Sequence, residues 1–361
     1  MKTIGVQLRP FDVLFFRDGR PFSASSRVVS GLPTPQILAG AWRTALFEKY
    51  KCPFPEFAKH YRHGESFDDA VTAAYGRERS WIGGVKFRGP WLCKLGDGIV
   101  QDVYVPAPAT VHAGKKGTKA PPQILKPTQK SDVPKVQGLR PMWANWVDAT
   151  DPFTGFLNQK GLSAVLNNTK LDESMLIEAD TLYAHDHRTG IEIDPDRLTA
   201  ADTKLYSISF LALKREYGFY AEILLPDAAP PDALATIESI AFGGEGKRVS
   251  VSLTKPVTWP TPTPSAKQKI CWILTTPAVM REGWKPLMGE RKLASAAVPS
   301  PIAISGWDLA KGGPKPTRFA APAGSVYFLD DADPHHPDSL AEGEDAALGY
   351  GCFCEGVWND E

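Results

Sequence analysis

Regular spacing of hydrophobic positions predicts several of the strands and one long helix of this chain. Residues 6–16 are rich in apolar and aromatic side chains and predict a strand that turns near Pro10. Apolar positions four residues apart over residues 36–50, preceded by Thr34 and Pro35, predict an amphipathic helix with a threonine cap. The same reasoning predicts further strands at residues 204–213, 219–225 and 248–253.

Two other segments carry weaker patterns. Apolar residues alternate over residues 176–193, and a turn at residues 188–190 would make this segment a hairpin or a bent strand. Residues 231–242 predict a short helix, with Leu234, Ile237 and Ile240 facing inward.

The order of these elements suggests how the chain is organised. Residues 52–175 lack a sustained period and contain a proline-punctuated, lysine-rich middle, which predicts a large insertion. With that insertion set aside, the order is strand, helix, strand, strand, helix, strand, as in ferredoxin-like folds. Proline-rich residues 259–264 predict a linker. A second domain is predicted from four apolar strand segments: 270–276, 302–305, 325–329 and 348–357. The expected class is α+β, with domains at residues 1–258 and 265–361.

Composition indicates an ordinary globular protein. Of 361 residues, 43% are hydrophobic and 23% are charged, which excludes a disordered chain, while 32 prolines predict many loops. The five cysteines have no paired spacing, and the sequence has no apolar signal core and no stretch of membrane-spanning length. We therefore expect a soluble, cytoplasmic protein without membrane contacts.

Charge is balanced overall but unevenly placed. The chain has 41 basic and 41 acidic residues, so bulk electrostatic attraction to nucleic acid is not expected and any such site must be local. A basic patch is made of Lys115, Lys116, Lys119, Lys126, Lys130, Lys135 and Arg140. An acidic loop is made of Asp330, Asp331, Asp333, Asp338, Glu342, Glu344 and Asp345.

Motifs for common catalytic chemistries are missing. Gly246-Lys247 is followed by Arg248, not by serine or threonine, and the first glycine of a P-loop is replaced by Ala241. The dinucleotide fingerprint and the nucleophile-elbow motif also fail. Cys352 and Cys354 fit core packing better than a zinc site.

The pair His185 and His187 is the remaining candidate for metal binding or acid–base chemistry, and a surface hairpin tip explains it more simply. We therefore expect no catalytic residues, no metal and no cofactor.

Three glycine turns flanked by cations are candidate phosphate-binding sites. Glycine lets a backbone approach phosphate closely, and arginine can bind phosphate with two hydrogen bonds. The first turn has Arg17, Arg20 and Arg27 around Gly19; the second has Gly243, Gly244 and Gly246 with Lys247 and Arg248; the third has Lys311, Lys315 and Arg318 around Gly312 and Gly313. Each could equally be an ordinary turn with solvated charges.

Blocks of sequence along the chain resemble a known family. They are LFFRDGRPF at 14–22, LAGAWR at 38–43, LYS at 205–207, GGE at 243–245, SGWD at 305–308, PAGSVY at 322–327 and LGYG at 348–351. Together they resemble the third-subunit family of RAMP (repeat-associated) proteins in type III-B (Cmr) CRISPR complexes. The resemblance implies two ferredoxin-like (RRM-type) domains. It also implies a subunit without catalysis that binds the 5′ repeat-derived tag of crRNA beside the large polymerase-like subunit.

The resemblance also implies roles for individual positions. Residues 243–248 match a glycine-rich loop that RAMP proteins place against RNA, between a helix and the last strand. Residues 17–22 and Arg43 match N-terminal motifs at the cleft between the domains, and Trp307, Lys311 and Lys315 match a block of the second domain. Trp307 could stack on a base or lie in the core.

The partners implied are crRNA, the large subunit, the backbone RAMP subunit and, indirectly, target RNA. Because like charges repel, the acidic loop is expected to face a basic partner protein. Two other functions stay open: an endoribonuclease that uses His185 or His187 on repeat RNA, and a purely protein-contacting subunit.

Overall fold

Two antiparallel sheets, one of eight strands and one of four, form the framework of the chain. The computed structural model describes residues 1–17, 27–115, 120–129, 138–143, 150–193, 200–263, 269–289, 291–330 and 337–359. None of the helices in these ranges is long and apolar enough to cross a membrane.

The elements are numbered here in chain order. The strands are β1 Lys2–Pro10, β2 Arg27–Val29, β3 Lys86–Leu95, β4 Val100–Pro106, β5 Val111–Gly114, β6 Gln123–Ile124, β7 Lys126–Pro127, β8 Met142–Trp143, β9 Thr150–Pro152, β10 Phe156–Leu157, β11 Leu176–Ile177, β12 Tyr183–Ile193, β13 Ala200–Leu213, β14 Tyr217–Leu225, β15 Ser239–Ala241, β16 Arg248–Thr254, β17 Lys269–Leu274, β18 Leu293–Ala297, β19 Ile302–Ile304, β20 Trp307–Asp308, β21 Gly313–Pro314, β22 Arg318–Ala320, β23 Val326–Leu329 and β24 Phe353–Trp358. The helices are α1 Pro35–Lys49, α2 Phe54–Arg62, α3 Phe67–Tyr75, α4 Gln159–Leu166, α5 Ala179–Leu182 and α6 Gly343–Leu348, with 3₁₀ turns at Arg77–Ile82 and Glu173–Met175.

The larger sheet has the order β11-β10-β4-β3-β14-β1-β16-β15. Its inner strand β1 pairs antiparallel with β14, where Val6 faces Ala221, and with β16, where Leu8 faces Val251. Strands are present at the predicted residues 219–225 and 248–253 of this sheet, and at 204–213 in a separate sheet. Of the strand predicted at residues 6–16, only residues 6–10 lie in a strand, since β1 ends at Pro10, and Leu14 forms an isolated bridge with Leu211. Proline has no N–H to donate to the ladder.

Helix α1 covers one face of this sheet and confirms the helix predicted from four-residue spacing. Pro35 occupies its first turn, and Thr34 is extended at the cap position but makes no side-chain capping hydrogen bond. The buried stripe Leu38, Trp42 and Leu46 packs into the core formed with β1, β3 and β14.

The region predicted as a large insertion, residues 52–175, differs from that prediction in part. Strands β3 and β4 are inner strands of the larger sheet. The sequence of β3 shows no strand periodicity because the strand is covered on both faces. Phe87 lies in the core under α1, while Trp91 and Cys93 lie in a second core on the opposite face. A strand buried on both faces shows no alternation of apolar and polar residues.

Strands β12, β13 and β2 form a separate three-stranded sheet. The turn predicted at residues 188–190 is wrong: β12 runs unbroken through this segment, and Arg188 faces Ile208 in antiparallel register. Gly190 favours a turn in the sequence, but in the structure it pairs with Tyr206 inside the ladder.

The helix predicted at residues 231–242 is also wrong. Turns run through the first half of the segment, Thr236 has a positive φ of 70°, and β15 follows at the sheet edge. Leu234 and Ile240 are buried as expected, but Ile240 is buried because it pairs with Val249 of β16. A spacing of three residues fits turns and an edge strand as well as a helix.

The second sheet has the order β18-β23-β17-β24 and confirms the strands predicted at residues 270–276 and 325–329. Residues 302–305 supply β19, which pairs with β22 outside this sheet. The segment 348–357 contains the end of α6 as well as β24.

The two sheets share a hydrophobic core. Trp91 and Leu162 lie in one cluster with Cys271 and Trp358, and Trp91 Nε1 donates to the Thr275 carbonyl at 3.2 Å. Trp259, in the predicted linker, packs edge-on against Trp91 at 4.6 Å between ring centroids. The segment at 259 is therefore part of the packed structure.

Candidate nucleic-acid interface

The glycine loop, residues 243–247, is a turn between β15 and β16 at the edge of the larger sheet. Its position before the last strand was expected, but it follows a strand, not the predicted helix. Phe242 N donates to the Lys247 carbonyl at 2.8 Å and closes the turn. Gly243 has a φ of +94°, and a Cβ there would lie 2.6 Å from the Phe15 carbonyl oxygen, so only glycine fits this approach.

A hydrogen bond of 2.8 Å from Gly244 N to the Phe15 carbonyl fixes the glycine loop against residues 11–17. That segment is in turn tied to β13, because Leu14 and Leu211 exchange two hydrogen bonds of 2.8 Å. The tip of the loop is exposed, and the N–H groups of Glu245 and Gly246 make no hydrogen bond within the described parts of the chain. Backbone amides presented in this way can bind an anion.

Lys247 and Arg248 leave the loop toward different partners. The Lys247 ammonium lies 3.1 Å from an Asp12 carboxylate oxygen and 5.3 Å from the centre of the Phe210 ring. Arg248 Nη2 donates to Ser239, at 2.9 Å to the hydroxyl and 3.2 Å to the carbonyl. Both side chains keep part of their surface in solvent, as a phosphate contact requires.

Arg188 and Phe210 join this loop but were not predicted to belong to a site. The Arg188 guanidinium lies 4.9 Å from the Phe210 ring centre and is held by Asp186 at 2.7 and 2.9 Å. The residues Asp12, Arg188, Phe210, Lys247 and Arg248 are called the loop cluster below. The pairing of β12 with β13 brings Arg188 to Phe210, and no local spacing in the sequence reveals that contact.

The Asp12 carboxylate reports on this geometry. The Val13 backbone N–H, and then Lys247, hold its pKa below the ordinary value of 3.8. The ion pair with Lys247 is therefore present above that ordinary value and is lost as the pH falls through the lowered pKa. We expect Lys247→Ala to raise the Asp12 pKa toward 3.8, and Lys170→Ala, at the opposite edge of the sheet, to leave it unchanged.

This prediction is checked by an NMR titration of the aspartate side-chain carboxyl carbons. Equal Asp12 midpoints in the wild-type protein and the Lys247→Ala variant would contradict the described contact.

His185 and His187 lie in the middle of β12, not at the predicted hairpin tip. Their rings are 6.4 Å apart, His185 Nε2 donates to the Ser30 carbonyl at 3.0 Å, and His187 Nδ1 bonds to the Ser209 hydroxyl at 2.5 Å. Each ring therefore has one nitrogen engaged by a neighbouring strand or loop.

A second set of predicted residues meets where the loop at 305–318 packs on α1. Arg43 lies with its guanidinium carbon 3.4 Å from the Phe67 ring centre, and its buried Nε has no hydrogen-bond partner among the described residues. Burial lowers the pKa of Arg43 to about 10, with Glu344 and Asp68 opposing the shift, so the group stays charged at neutral pH. Most of the guanidinium is therefore covered, and its role at a cleft between domains stays a prediction.

Lys315 lies close enough to Arg43 and to Arg318 for the charges to repel. Burial, and then the nearby Arg43 and Arg318, lower the pKa of Lys315, while Asp308 and Glu344 oppose the shift. Arg318 forms a two-pronged ion pair with Asp345, at 2.6 and 2.8 Å, which raises its pKa. Arg318 is thus already occupied by a carboxylate.

Trp307 and Lys311 lie on the small hairpin β20–β21. The Trp307 side chain is 62% exposed, which removes the alternative of a core tryptophan. The Asp308 carboxylate accepts from the N–H groups of Ala310 and Lys311 at 3.0 Å and shapes the turn, while the Lys311 ammonium lies 5.4 Å from the Tyr61 ring centre. The hairpin is therefore ordered, with an aromatic ring facing solvent.

The remaining predicted arginines are only partly described. Arg17 is exposed at the end of the segment that carries the glycine loop. Arg27 begins β2 and its backbone lies opposite Ser207 of β13. Arg20 lies outside the described residues.

The basic patch and the acidic loop contain several ion pairs. Lys115 lies 3.7 Å from Asp151, and Arg140 and Lys269 lie 2.7 and 3.1 Å from Asp330. Glu344 accepts from the Phe67 N–H at 3.3 Å. Part of the acidic loop is thus used within the molecule; residues 116–119, 130–137 and 331–336 lie outside the described residues.

The described residues present cations, exposed amides and aromatic rings at the surface. They contain no group of three or more His, Cys, Asp or Glu side chains that could hold a metal, and their five cysteines are free. These features place the chain in the class of α+β proteins built on two antiparallel sheets, with a cationic glycine loop at the edge of the larger sheet.

Comparison with protein families then identifies the family. Residues 6–358 match the model of the CRISPR-associated protein family Cas_Cmr3, and the chain belongs to that family. This confirms the resemblance identified from the sequence blocks.

Two solved complexes contain a chain of similar fold. Two cryo-EM structures of a type III-B Cmr-beta complex bound to cognate target RNA, one of them also with AMPPnP, contain chains that are 16% and 15% identical. In both, the match covers 90% of this chain and 86% of the other, with TM-scores of 0.50 and 0.51. A chain from a Csm1–Csm4 cassette with AMPPNP is 14% identical, covers 99% and 98%, and has a TM-score of 0.37. No curated protein matches this chain significantly.

Proposed function

We propose that this protein is a non-catalytic subunit of a type III-B CRISPR effector complex that binds the 5′ repeat-derived tag of crRNA. In this proposal it caps the complex next to the large polymerase-like subunit. Membership of the Cas_Cmr3 family supports the proposal, as does the similar fold of chains from Cmr complexes bound to target RNA.

The observation that carries RNA binding is the exposed glycine loop. It presents two amides, at residues 245 and 246, that have no partner among the described residues, next to Lys247 and Arg248. Single-stranded RNA is bound by such combinations, in which amides and cations fix phosphates and aromatic groups stack on bases.

The strand orders support two ferredoxin-like domains. In the larger sheet, β16-β1-β14-β3 has the antiparallel 4-1-3-2 order of that fold, with α1 in the first crossover. In the smaller sheet, β24-β17-β23-β18 has the same order. Turns at 231–236 stand where the first domain would have its second helix.

The proposed partners follow from this role. Besides crRNA, the subunit contacts the large polymerase-like subunit and the backbone RAMP subunit, and it meets target RNA only through the assembled complex. The described acidic residues that are not used internally, such as Asp338, are left for a basic protein surface.

Removing the two loop cations tests the RNA site. We expect Lys247→Ala/Arg248→Ala to weaken retention of tag RNA and to make the plot of log affinity against log salt shallower by about 1.4, since each phosphate contact to a single strand contributes about 0.7. Fluorescence anisotropy over a salt series measures this, and circular dichroism verifies folding. The control Lys170→Ala removes one exposed lysine at the opposite sheet edge and should keep the wild-type slope; a wild-type slope in the double variant would count against the loop.

The first measurement on the function itself is to purify the protein with its operon partners and sequence the 5′ ends of the RNA that co-purifies. Guide RNAs with one uniform repeat-derived 5′ tag support the proposal. RNA with heterogeneous ends, or no RNA, contradicts tag binding.

An endoribonuclease is the second candidate, because His185 and His187 share one face of β12 and their rings lie 6.4 Å apart. One imidazole would have to activate a ribose 2′-hydroxyl. Cleavage of repeat RNA by the isolated protein, lost in His185→Ala/His187→Ala, would establish this enzyme and overturn the non-catalytic proposal.

A further inference from the structure

A small cleft next to the glycine loop has a lining that the sequence analysis did not single out. It has a volume of about 280 Å³ and lies between residues 9–13, at the end of β1 and just after it, and residues 212–215 with Tyr217, where the chain turns from β13 into β14. Two backbone contacts fix these walls: Phe11 N donates to the Arg248 carbonyl at 3.3 Å, and Tyr217 N donates to the Lys214 carbonyl at 2.9 Å.

The charge of this cleft is strongly positive. Arg9, Lys214 and Arg215 line it, and none of their side chains forms a hydrogen bond or ion pair with another side chain in the described ranges. The one carboxylate in the lining is Asp12, which Lys247 already neutralises at 3.1 Å. Three cations without an internal counterion favour an anionic ligand.

Two aromatic rings make the ligand more specific. Phe11 is 66% exposed although its backbone is fixed, and Tyr217 lies half-buried in the lining of the cleft. An exposed ring beside unpaired arginines is the combination that binds a base by stacking and its phosphates by charge. An acidic peptide would use the cations but would gain little from the exposed Phe11 ring.

The cleft is continuous with the loop cluster. Asp12 belongs to both, since it lines the cleft and accepts from Lys247, and Phe11 is bonded through its backbone to Arg248. A strand of RNA whose phosphates contact the glycine loop can therefore extend into the cleft without crossing a negatively charged surface.

We propose that this cleft is a subsite for one nucleotide of single-stranded RNA, with its base stacked on Phe11 and its flanking phosphates on Arg9 and Arg215. The inference rests on the proposed RNA-binding function and adds a position to it. It assigns residues outside the three glycine turns to the path of the RNA.

The test uses the full chain and two fluorescent probes, a single-stranded RNA with the repeat-derived tag and an oligouridine of equal length. Phe11→Ala should weaken binding of both by about 5- to 150-fold, the range for loss of one base stack. Phe11→Tyr keeps a stacking ring and should restore most of the affinity, whereas Phe11→Leu keeps an apolar side chain and should not. Arg9→Ala/Arg215→Ala should lower the salt slope by about 1.4, and Lys170→Ala should not.

A direct readout separates this subsite from the proposed function. RNA that contains 4-thiouridine should cross-link to Phe11 or Tyr217 on irradiation. If wild-type protein binds RNA through the glycine loop but Phe11→Ala and Phe11→Leu bind equally well and no such cross-link forms, the subsite alone is overturned. If neither the chain nor its complex binds RNA, both proposals fall. An affinity for polyglutamate that is lost in Arg9→Ala/Arg215→Ala, without RNA binding, would assign the cleft to an acidic protein.

Discussion

Replacing Trp42 with alanine is expected to lower the free energy of unfolding by about 3–5 kcal/mol, the range for truncating a buried aromatic side chain. Trp42 is 0% exposed on the inner face of α1, in the core shared with β1, β3 and β14. The alanine variant leaves a cavity that a close-packed interior can fill only partly. Chemical denaturation followed by far-UV circular dichroism measures the loss.

Two controls separate cavity formation from loss of helix. Thr44→Ala lies on the exposed side of α1 and should change the unfolding free energy by less than about 0.5 kcal/mol. Trp42→Phe keeps most of the volume and removes an indole N–H that has no partner among the described residues, so its cost should be below about 1.5 kcal/mol. An alanine variant within 1 kcal/mol of wild type, on the order of the typical single-mutation effect, would show that Trp42 is not a core residue.

Replacing Glu222 with alanine is expected to destabilise the protein by about 2–6 kcal/mol, because it leaves the buried Tyr220 hydroxyl and the partly buried Trp259 Nε1–H without an acceptor, at about 1–3 kcal/mol each. Glu222 is 2% exposed, and one carboxylate oxygen accepts from the Tyr220 hydroxyl and from Trp259 Nε1, both at 2.9 Å. Arg88, at 3.8 Å and partly exposed, adds little. The same denaturation measurement applies.

The matched variant Glu222→Gln retains an acceptor and should lose clearly less stability than alanine. A double-mutant cycle tests the network itself: Glu222→Ala/Tyr220→Phe should cost less than the sum of the single changes, since the second change removes a donor that the first left unsatisfied. Strict additivity would exclude the coupling. Because Trp259 follows β16 along the chain, the expected loss also measures how much its contact with Glu222 stabilises residues 257–259.

The sequence predicts elements best where only one face of an element is buried. Helix α1 and strand β16 have clear periods, and their predicted ends lie within one or two residues of the observed ends. Strand β14 is predicted equally well although residues on both of its faces are buried. The sequence does not predict strand β3, because hydrophobic cores lie on both of its faces. It wrongly predicts a turn at residues 188–190 of β12, because a glycine inside a strand gives the same local signal as a turn glycine. In the segment 231–242, where the helix prediction is wrong, Leu234 and Ile240 are buried as predicted. Ile240 is buried in the edge strand β15, where it pairs with Val249.

The candidate site was predictable only in its local parts. Glycine and cation neighbours identify Lys247 and Arg248, since these lie within one turn. Arg188 and Phe210 reach that turn through strand pairing, and Phe11 and Arg215 face one another across a cleft between distant segments; sequence neighbours carry no information about such contacts. The packing of Arg43 over Phe67 depends on where α3 lies, which the residues around Arg43 do not predict.

The pairing of β1 has a consequence for synthesis of the chain on the ribosome. Strand β1 ends at residue 10, yet its two neighbours end at residues 225 and 254. At about 5–20 residues per second, translation needs roughly 10–50 s to supply both partners. Contacts so distant in sequence form slowly. During that time β1 has no partner strand and its apolar side chains are exposed, so it is accessible to a chaperone or to a partner subunit that assembles early.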